Sequence, residues 1–180
     1  MAEPDGITDA ARRSAIVAEL RRLEESALYS GQMQFETTKQ WRGINLWLGL
    51  PASGLAAVSG TVALVSATGR VAAGVIALVA SGFGAILTTV NASHRMNKAA
   101  ASANAYLEIQ TAARQAREVD LPYLAIDEAR QVLAEITARR DEQNKAAEPP
   151  NRRAYKKARR NIDSGGQTYA VDETAARTGR

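Results

Sequence analysis

Hydrophobic and polar positions along the chain change their pattern twice. Near the N-terminus, apolar side chains recur at intervals of three and four residues, which predicts an amphipathic helix. Its apolar members are Ile16, Leu20, Leu23 and Ala27. The stretch from Gly43 to Ser93 is uncharged except for Arg70, and the helical spacing returns beyond Asn97. The pattern predicts an all-α chain in three regions, with an apolar centre.

Arg70 divides the apolar centre into two runs of 27 and 23 residues, Gly43–Gly69 and Val71–Ser93. A helix that crosses a bilayer needs about 20 apolar residues, so both runs are long enough. We therefore predict an integral membrane protein whose transmembrane hairpin covers residues 41–95, with spans at about 44–66 and 71–93. The turn is predicted at 67–70, where Gly69 reverses the chain and Arg70 reaches the headgroups. The alternative, a buried soluble hairpin, conflicts with the absence of a charged face.

Cations around the two spans predict the orientation. Lys39 and Arg42 precede the first span and Arg95 and Lys98 follow the second, against Arg70 alone at the turn. By the positive-inside rule, both termini are expected on the cytoplasmic side of the membrane.

The second span carries a row of small and polar residues at heptad spacing, with bulky residues such as Val75 and Val79 elsewhere. The row is Gly74, Ala77, Ser81, Gly84, Thr88 and Asn91, and it continues into Arg95 and Lys98. Such stripes let helix backbones pack closely. They can also line a path through an oligomer, with Arg95 and Lys98 at a cationic cytoplasmic mouth. Because no acidic residue is present, such a pore is weakly selective or favours anions.

The first span has a comparable stripe that includes Asn45, Gly49 and Ser59. At similar depth in an antiparallel hairpin, Asn45 and Asn91 are candidates to bond to each other. Pro51 removes a backbone donor near the start of this span and is the candidate position of a kink.

The flanking regions predict helices that pack on one another. Residues 1–40 hold the N-terminal helix, capped by Thr8 or Asp9. Residues 96–148 hold two more, separated near Pro122, where a new helix is expected to start. Their apolar stripes are Tyr106, Ile109, Ala113 and Ala116 in the first, and Ala125, Ala129, Val132 and Ile136 in the second.

Residues 149–180 combine a basic segment with a tail that we expect to be flexible beyond Gly165–Gly166. The cations of the segment are Arg152, Arg153, Lys156, Lys157, Arg159 and Arg160, and its apolar members Tyr155, Ala158 and Ile162 share a face. In a membrane protein this pattern favours a short helix lying on the anionic inner leaflet. Nucleic-acid or nucleotide binding and a plain solvated segment are the alternatives.

The composition offers little for catalysis. The sequence has no cysteine, a single histidine, His94, and no acidic residue between Glu36 and Glu108. Acid–base and metal chemistry need such groups in clusters, so we expect neither an enzyme nor a cofactor. The short SGFGA stretch at residues 81–85 lacks the third glycine and the preceding strand of a phosphate-binding loop.

Three stretches carry a resemblance to a known family. They are ESALYSGQMQFETTKQWRGINLWLGLPASGLAAVSG, SHRMNKAAASANAYLEIQTAAR and PPNRRAYKKARRNIDSGGQTY. In their order and helical arrangement, from Leu23 to Asp172, they resemble the SLATT family, a two-transmembrane effector domain associated with SMODS nucleotidyltransferases and SLOG sensors. The resemblance carries no catalytic residues.

What the resemblance implies is a membrane effector of bacterial anti-phage defence that oligomerises, forms a pore and arrests growth, as in abortive infection. Its partners would be the lipid bilayer, further copies of itself, and a separate sensor protein or signalling nucleotide, with no specific nucleic acid. The alternative is a non-conducting membrane scaffold that binds a cytoplasmic partner through its amphipathic helices.

Overall fold

In the computed structural model, the described residues are 8–65 and 69–166, apart from the surroundings of residues 60, 62–65, 69 and 70. This part of the chain is helical and has no strand, so the all-α prediction is confirmed. The elements are α1 (Asp9–Val65), α2 (Gly69–Val90), α3 (Ala92–Gln115), a π-helical segment (Ala116–Asp120), α4 (Ile126–Ala146) and α5 (Arg152–Asp163).

The chain divides into two compact units. Unit 1 comprises residues 1–36 and 100–180, and unit 2 comprises residues 37–99. The two regions that flank the apolar centre in the sequence therefore fold together as one unit. The residues of the predicted hairpin, 41–95, fall within the limits of unit 2.

Unit 1 has a core built from the predicted stripes. Its fully or nearly buried members are Ile16, Leu20, Leu23, Ala27, Tyr106, Ile109, Ala113, Ala116, Leu121, Ala129 and Ile136. The stripes of α1 and α3 are buried as predicted, and Ala129 and Ile136 of α4 join them. Because each stripe follows the helical repeat, burying one face of each helix closes the core and leaves the charged faces in solvent.

The N-terminal part of α1 begins as predicted and packs closely on α3. Of the two candidate caps, Thr8 is used: the Ala11 amide lies 3.4 Å from Thr8 Oγ1 and 2.8 Å from the Thr8 carbonyl oxygen. Farther along, α1 continues through Gly31, where a β-carbon would lie 3.4 Å from Tyr106 Cβ. A larger residue at Gly31 would push the two helices apart.

The connection before α4 differs from the prediction, because α4 begins at Ile126 and not near Pro122. Leu121 is buried in the core, and the Arg13 guanidinium donates to the carbonyl oxygens of Leu121 and Leu124, the latter at 2.8 Å. These contacts hold the chain in a turn, so the helix starts afterwards, where Glu128 accepts a 2.9 Å hydrogen bond from the Ala125 amide.

Tyr106 adds a buried polar contact to the core. Its hydroxyl donates to Asn144 Oδ1 at 2.7 Å, which joins α3 to α4. Burial raises the pKa of the Tyr106 phenol above its ordinary value, although nearby Arg140 offsets part of this effect. The phenol therefore remains a neutral donor through the physiological pH range.

A partly buried ion pair joins α1 to the π-helical segment, with Arg117 Nη2 at 2.8 Å from Glu24 Oε2. Burial by itself lowers the pKa of Arg117, but hydrogen bonding and charge from Glu24 and Glu118 outweigh it and leave that pKa raised. The two side chains are only 15% and 20% exposed. We expect Glu24→Ala to lower the free energy of unfolding by about 2 kcal/mol, because it leaves a desolvated guanidinium without its main partner.

Urea unfolding of the purified protein, followed by circular dichroism, would measure this effect. The matched control is Glu19→Ala on the same helix, because Glu19 pairs with Arg22 in an exposed position and should contribute less than about 1 kcal/mol. Equal losses for the two variants would contradict the expected difference.

Candidate functional site

Unit 2 exposes an unusual amount of apolar side chain. Ten of the thirteen exposed large hydrophobic residues in the described part of the chain belong to it, including Trp47 at 81% exposure. They are Ile44, Leu46, Trp47, Leu50, Val58, Val71, Val75, Leu78, Val79 and Ile86. An apolar surface of this extent is typical of a region that contacts lipid or another protein.

Among the described residues, one helical run is long and apolar enough, by length and composition, to cross a membrane. It is Val71–Asp120, and its most apolar window of 18 residues has a mean hydropathy of 2.1 and is 11% buried. The core helix of a soluble protein would be mostly buried, which this window is not. The first predicted span ends at about residue 66, which lies outside the described residues, and this span stays a prediction.

The predicted row of small and polar residues from Gly74 to Asn91, called here the α2 stripe, lies beside the face by which α2 packs in unit 2. Among the residues of α2 whose surroundings the structure describes, Ala73 and Ala80 are buried, and seven residues of separation put them on one face. The members of the stripe within α2 are rotated from the midpoint of that face by about 30° to 110°. Gly84 is half-buried, whereas Gly74, Ala77, Ser81 and Thr88 are exposed.

The two glycines of the stripe leave open space in the single chain. A β-carbon added at Gly74 or at Gly84 would meet no atom within 4 Å. No contact in the described part of unit 2 therefore requires glycine at these two positions. The space beside them is open to a neighbouring helix.

The hydroxyl groups of the stripe are satisfied within α2. Ser81 Oγ donates to the Leu78 carbonyl oxygen at 3.0 Å, and Thr88 Oγ1 donates to that of Gly84 at 2.9 Å. Because the hydroxyl protons are bonded, these side chains can lie in an apolar surrounding without an unsatisfied donor. Their oxygen lone pairs stay available as weak acceptors.

Two contacts within unit 2 join residues near the start of the first predicted span to residues near the end of the second. Ser93 Oγ donates to Asn45 Oδ1 at 3.1 Å, so the hydrogen-bond partner found for Asn45 is Ser93 and not Asn91. The guanidinium of Arg95, an exposed member of the predicted mouth, lies 5.2 Å from the centroid of the Trp41 ring, in a cation–π contact. Lys98 of the same mouth is exposed.

Asn91 marks a bend that the sequence analysis missed. Its φ of 49° lies in the left-handed region, and it separates α2 from α3. The Asn91 amide still bonds to the Leu87 carbonyl oxygen at 3.0 Å, so α2 ends without losing a donor. The available signal was the residue type, since asparagine tolerates this conformation better than most residues. Asn91 is thus an exposed bend residue at the end of the stripe.

The remaining predicted positions in unit 2 are placed as follows. Pro51 lies inside α1, where Gly43, Leu46, Trp47 and Leu50 form with it an apolar groove of about 460 Å³. Gly69 and Arg70 belong to the first turn of α2, while the rest of the predicted turn, residues 67 and 68, lies outside the described residues.

The basic segment forms α5, with well-defined ends. Asn151 Oδ1 caps its start by accepting from the Ala154 amide at 2.8 Å. At its end, Gly165 has a φ of 79°, and the amides of Gly165 and Gly166 bond to the carbonyl oxygens of Ile162 and Asn161, both at 2.9 Å. This left-handed ending needs glycine.

The apolar side of α5 faces the protein. Ala154 and Ala158 are buried, while Tyr155 is 49% exposed and all six cations are exposed. Ala158, which shares the predicted apolar face with Tyr155 and Ile162, is therefore buried against the protein, and the position of this helix on the inner leaflet stays a prediction. The predicted flexible tail, residues 167–180, lies outside the described residues.

Within the described ranges, no group of three or more His, Cys, Asp or Glu side chains is arranged to hold a metal ion. The features that the described residues present are an exposed apolar surface, a stripe of small residues and a cluster of positive charges. No protein-family model, curated protein or solved structure matches this chain.

Proposed function

We propose that this protein is a bacterial membrane effector that anchors in the inner membrane through a hairpin of α1 and α2, associates with further copies through the α2 stripe, and depolarises the membrane. In this proposal both termini are cytoplasmic, and the outcome for the cell is growth arrest, as the resemblance to the SLATT family implies for anti-phage defence. The protein acts without catalysis.

The observation that carries the proposal is the exposed surface of α2. Its apolar side, with Val71, Val75 and Leu78, has the character of a lipid-contacting face. Beside it runs the α2 stripe, whose glycines have open space where a second helix can approach. A lone helix in lipid gains nothing from such a stripe, whereas an assembly of hairpins can use it for contact or as the wall of a path.

The scaffold alternative has less support. It requires amphipathic faces that are free to bind a cytoplasmic partner, such as Leu20 with Leu23, or Val132 with Ile136. Leu20, Leu23 and Ile136 are buried in the core of unit 1, and Val132 packs against them. These faces are used within the chain.

The test is the membrane potential of bacterial cells after induced expression, read with a potential-sensitive dye beside a fractionation blot. We expect the protein in the inner-membrane fraction and a loss of potential soon after induction. The purified protein in vesicles that hold a potassium gradient should likewise dissipate that gradient. Correct insertion with an unchanged potential in both systems would contradict pore formation and favour the scaffold.

A further inference from the structure

The charged helix α5 is fixed to unit 1 and not free to reorient. Ala154 and Ala158 are 0% and 1% exposed, so one side of α5 is fully packed. Asn161 Nδ2 donates to Oε1 of the buried Gln32 at 3.1 Å. In the link before the helix, the buried Gln34 donates from Nε2 to the Glu148 carbonyl oxygen at 2.8 Å. These contacts determine which side of α5 is presented to solvent.

The presented side is a continuous cationic surface. On a helical repeat of 100° per residue, the six cations cover an arc of about 160°, and Ala154 and Ala158 lie outside it. An open groove of about 660 Å³ runs along this side. Its lining is Arg152, Tyr155, Lys156, Arg159, Arg160 and Asp163.

Most of this charge has no counter-charge in the described part of the chain. Arg159 pairs with Asp163 at 3.7 Å. The other five cations have no carboxylate within ion-pairing distance among the described residues. Several of them, such as Lys156 and Arg160, are four residues apart, a spacing at which like charges on a helix repel. An anionic surface placed against α5 would offset this repulsion.

We propose that α5 binds the phosphate groups of anionic lipids by charge alone, without inserting into the bilayer. This rests on the proposed function, because the hairpin would keep the chain at a lipid surface. A broad convex arc of cations suits a flat array of phosphates, and each cation near such a surface favours binding. Since the alanine side is buried against the protein, α5 presents no continuous apolar face to the bilayer, and its half-exposed Tyr155 lies among the cations of the groove. It therefore differs from the amphipathic surface helix expected from the sequence.

The experiment uses the full chain, inserted in vesicles, with one fluorescent label. The sequence has no cysteine, so Ser164→Cys provides a unique thiol at an exposed position next to α5. Quenching by headgroup-labelled lipid then reports how close α5 lies to the surface. We compare vesicles of phosphatidylcholine alone with vesicles that also contain phosphatidylglycerol, at low and high salt.

We expect quenching to increase with phosphatidylglycerol and to fall at high salt, as screening weakens the attraction. Replacing Lys156, Lys157 and Arg160 by Gln should lower the ratio of bound to unbound α5 by roughly fivefold per charge removed. The matched control replaces Arg21, Arg130 and Lys145 by Gln, which removes the same charge from exposed positions outside α5. The control should quench like the unsubstituted chain.

Three outcomes would overturn the proposal. Equal quenching in neutral and anionic vesicles would show that α5 does not respond to lipid charge. Equal losses in the two triple variants make net charge, and not α5, the cause. Binding of a short RNA or of inorganic pyrophosphate that depends on Lys156, Lys157 and Arg160, with no response to phosphatidylglycerol, assigns the site to free phosphates.

The insertion control separates this proposal from the proposed function. If the chain fails to float with the vesicles, the membrane assignment itself fails. If the chain floats and dissipates a potassium gradient, but quenching does not change with phosphatidylglycerol, the effector proposal is supported. Only the proposed lipid binding by α5 is then contradicted.

Discussion

Gly84→Leu should strongly slow depolarisation by a protein that still inserts in the membrane, whereas Gly82→Leu, two residues away, should leave depolarisation nearly unchanged. An added β-carbon meets no atom within 4 Å at either glycine, so the single chain has room to begin a side chain at both. Both changes replace glycine by a better helix former and increase hydropathy, so neither weakens insertion of α2. The two variants differ mainly in where the leucine points.

On a helical repeat, residues 82 and 84 are about 200° apart. Gly82 lies opposite the packed face marked by Ala73 and Ala80, on the side that also carries Val75 and Val79. A leucine there adds one more apolar side chain to a lipid-like surface. Gly84 lies in the α2 stripe, where a leucine would block close approach of a neighbouring helix or narrow a path between subunits.

The effect at Gly84 should be a decrease of roughly tenfold or more in the rate of depolarisation, since the loss of a close helix contact is worth about 1–2 kcal/mol. Ser81→Leu should act in the same direction, because Ser81 belongs to the same stripe and is more exposed than Gly84. Agreement between these two positions excludes a distortion confined to the half-buried Gly84.

The measurement is the dye signal after induction, normalised to the protein found in the inner-membrane fraction. Wild-type rates from both Gly84→Leu and Ser81→Leu would remove the stripe from the mechanism. If Gly82→Leu also stops depolarisation, the loss of activity is not specific to the α2 stripe, because added bulk on the opposite side of α2 has the same effect.

Sequence reasoning worked best where one physical effect dominates. Helical spacing alone identified the core positions Leu20, Leu23, Ile109 and Ile136, because a buried side must repeat with the turn of the helix. The absence of charged residues identified the apolar centre, because the solvent-exposed helices of this chain carry charged residues at much shorter intervals.

The features that sequence reasoning missed depend on partners far away in the chain. Arg13 bonds to carbonyl oxygens more than a hundred residues later, and Gln34 bonds to the Glu148 carbonyl oxygen. Nothing in the local pattern around Arg13 or Gln34 specifies these acceptors. The late start of α4 follows from the first of these contacts.

The basic segment shows the same limit in another form. Its charge pattern predicted a helix with a cationic side, which is α5. The pattern could not show that Ala154 and Ala158 are covered by unit 1, because alanine is common on both buried and exposed helix faces. The structure therefore adds to the predicted helix that its alanine side is covered by the protein, which the sequence alone does not specify.

Leu20→Ala should cost unit 1 about 3 kcal/mol of stability, near the middle of the range for buried leucines. Leu20 is 1% exposed and is the largest fully buried side chain in the described part of the chain. Shortening it removes apolar contact in a core shared with α3 and α4, and the neighbouring helices relax only partly into the space. Amide hydrogen exchange of the full-length protein should show faster exchange in residues 9–36, in residues 100–115 of α3 and in α4.

The matched control is Leu50→Ala, because Leu50 is 69% exposed and belongs to unit 2. It loses the same atoms but should leave exchange in unit 1 unchanged. If Leu20→Ala accelerates exchange no more than Leu50→Ala does, the N-terminal part of α1 contributes little to the core. If the expected acceleration occurs while the protein stays in the membrane fraction, insertion depends on unit 2 and not on the folded state of unit 1. The depolarisation rate of that variant then measures how far the folded unit 1, with α5 attached, contributes to the activity.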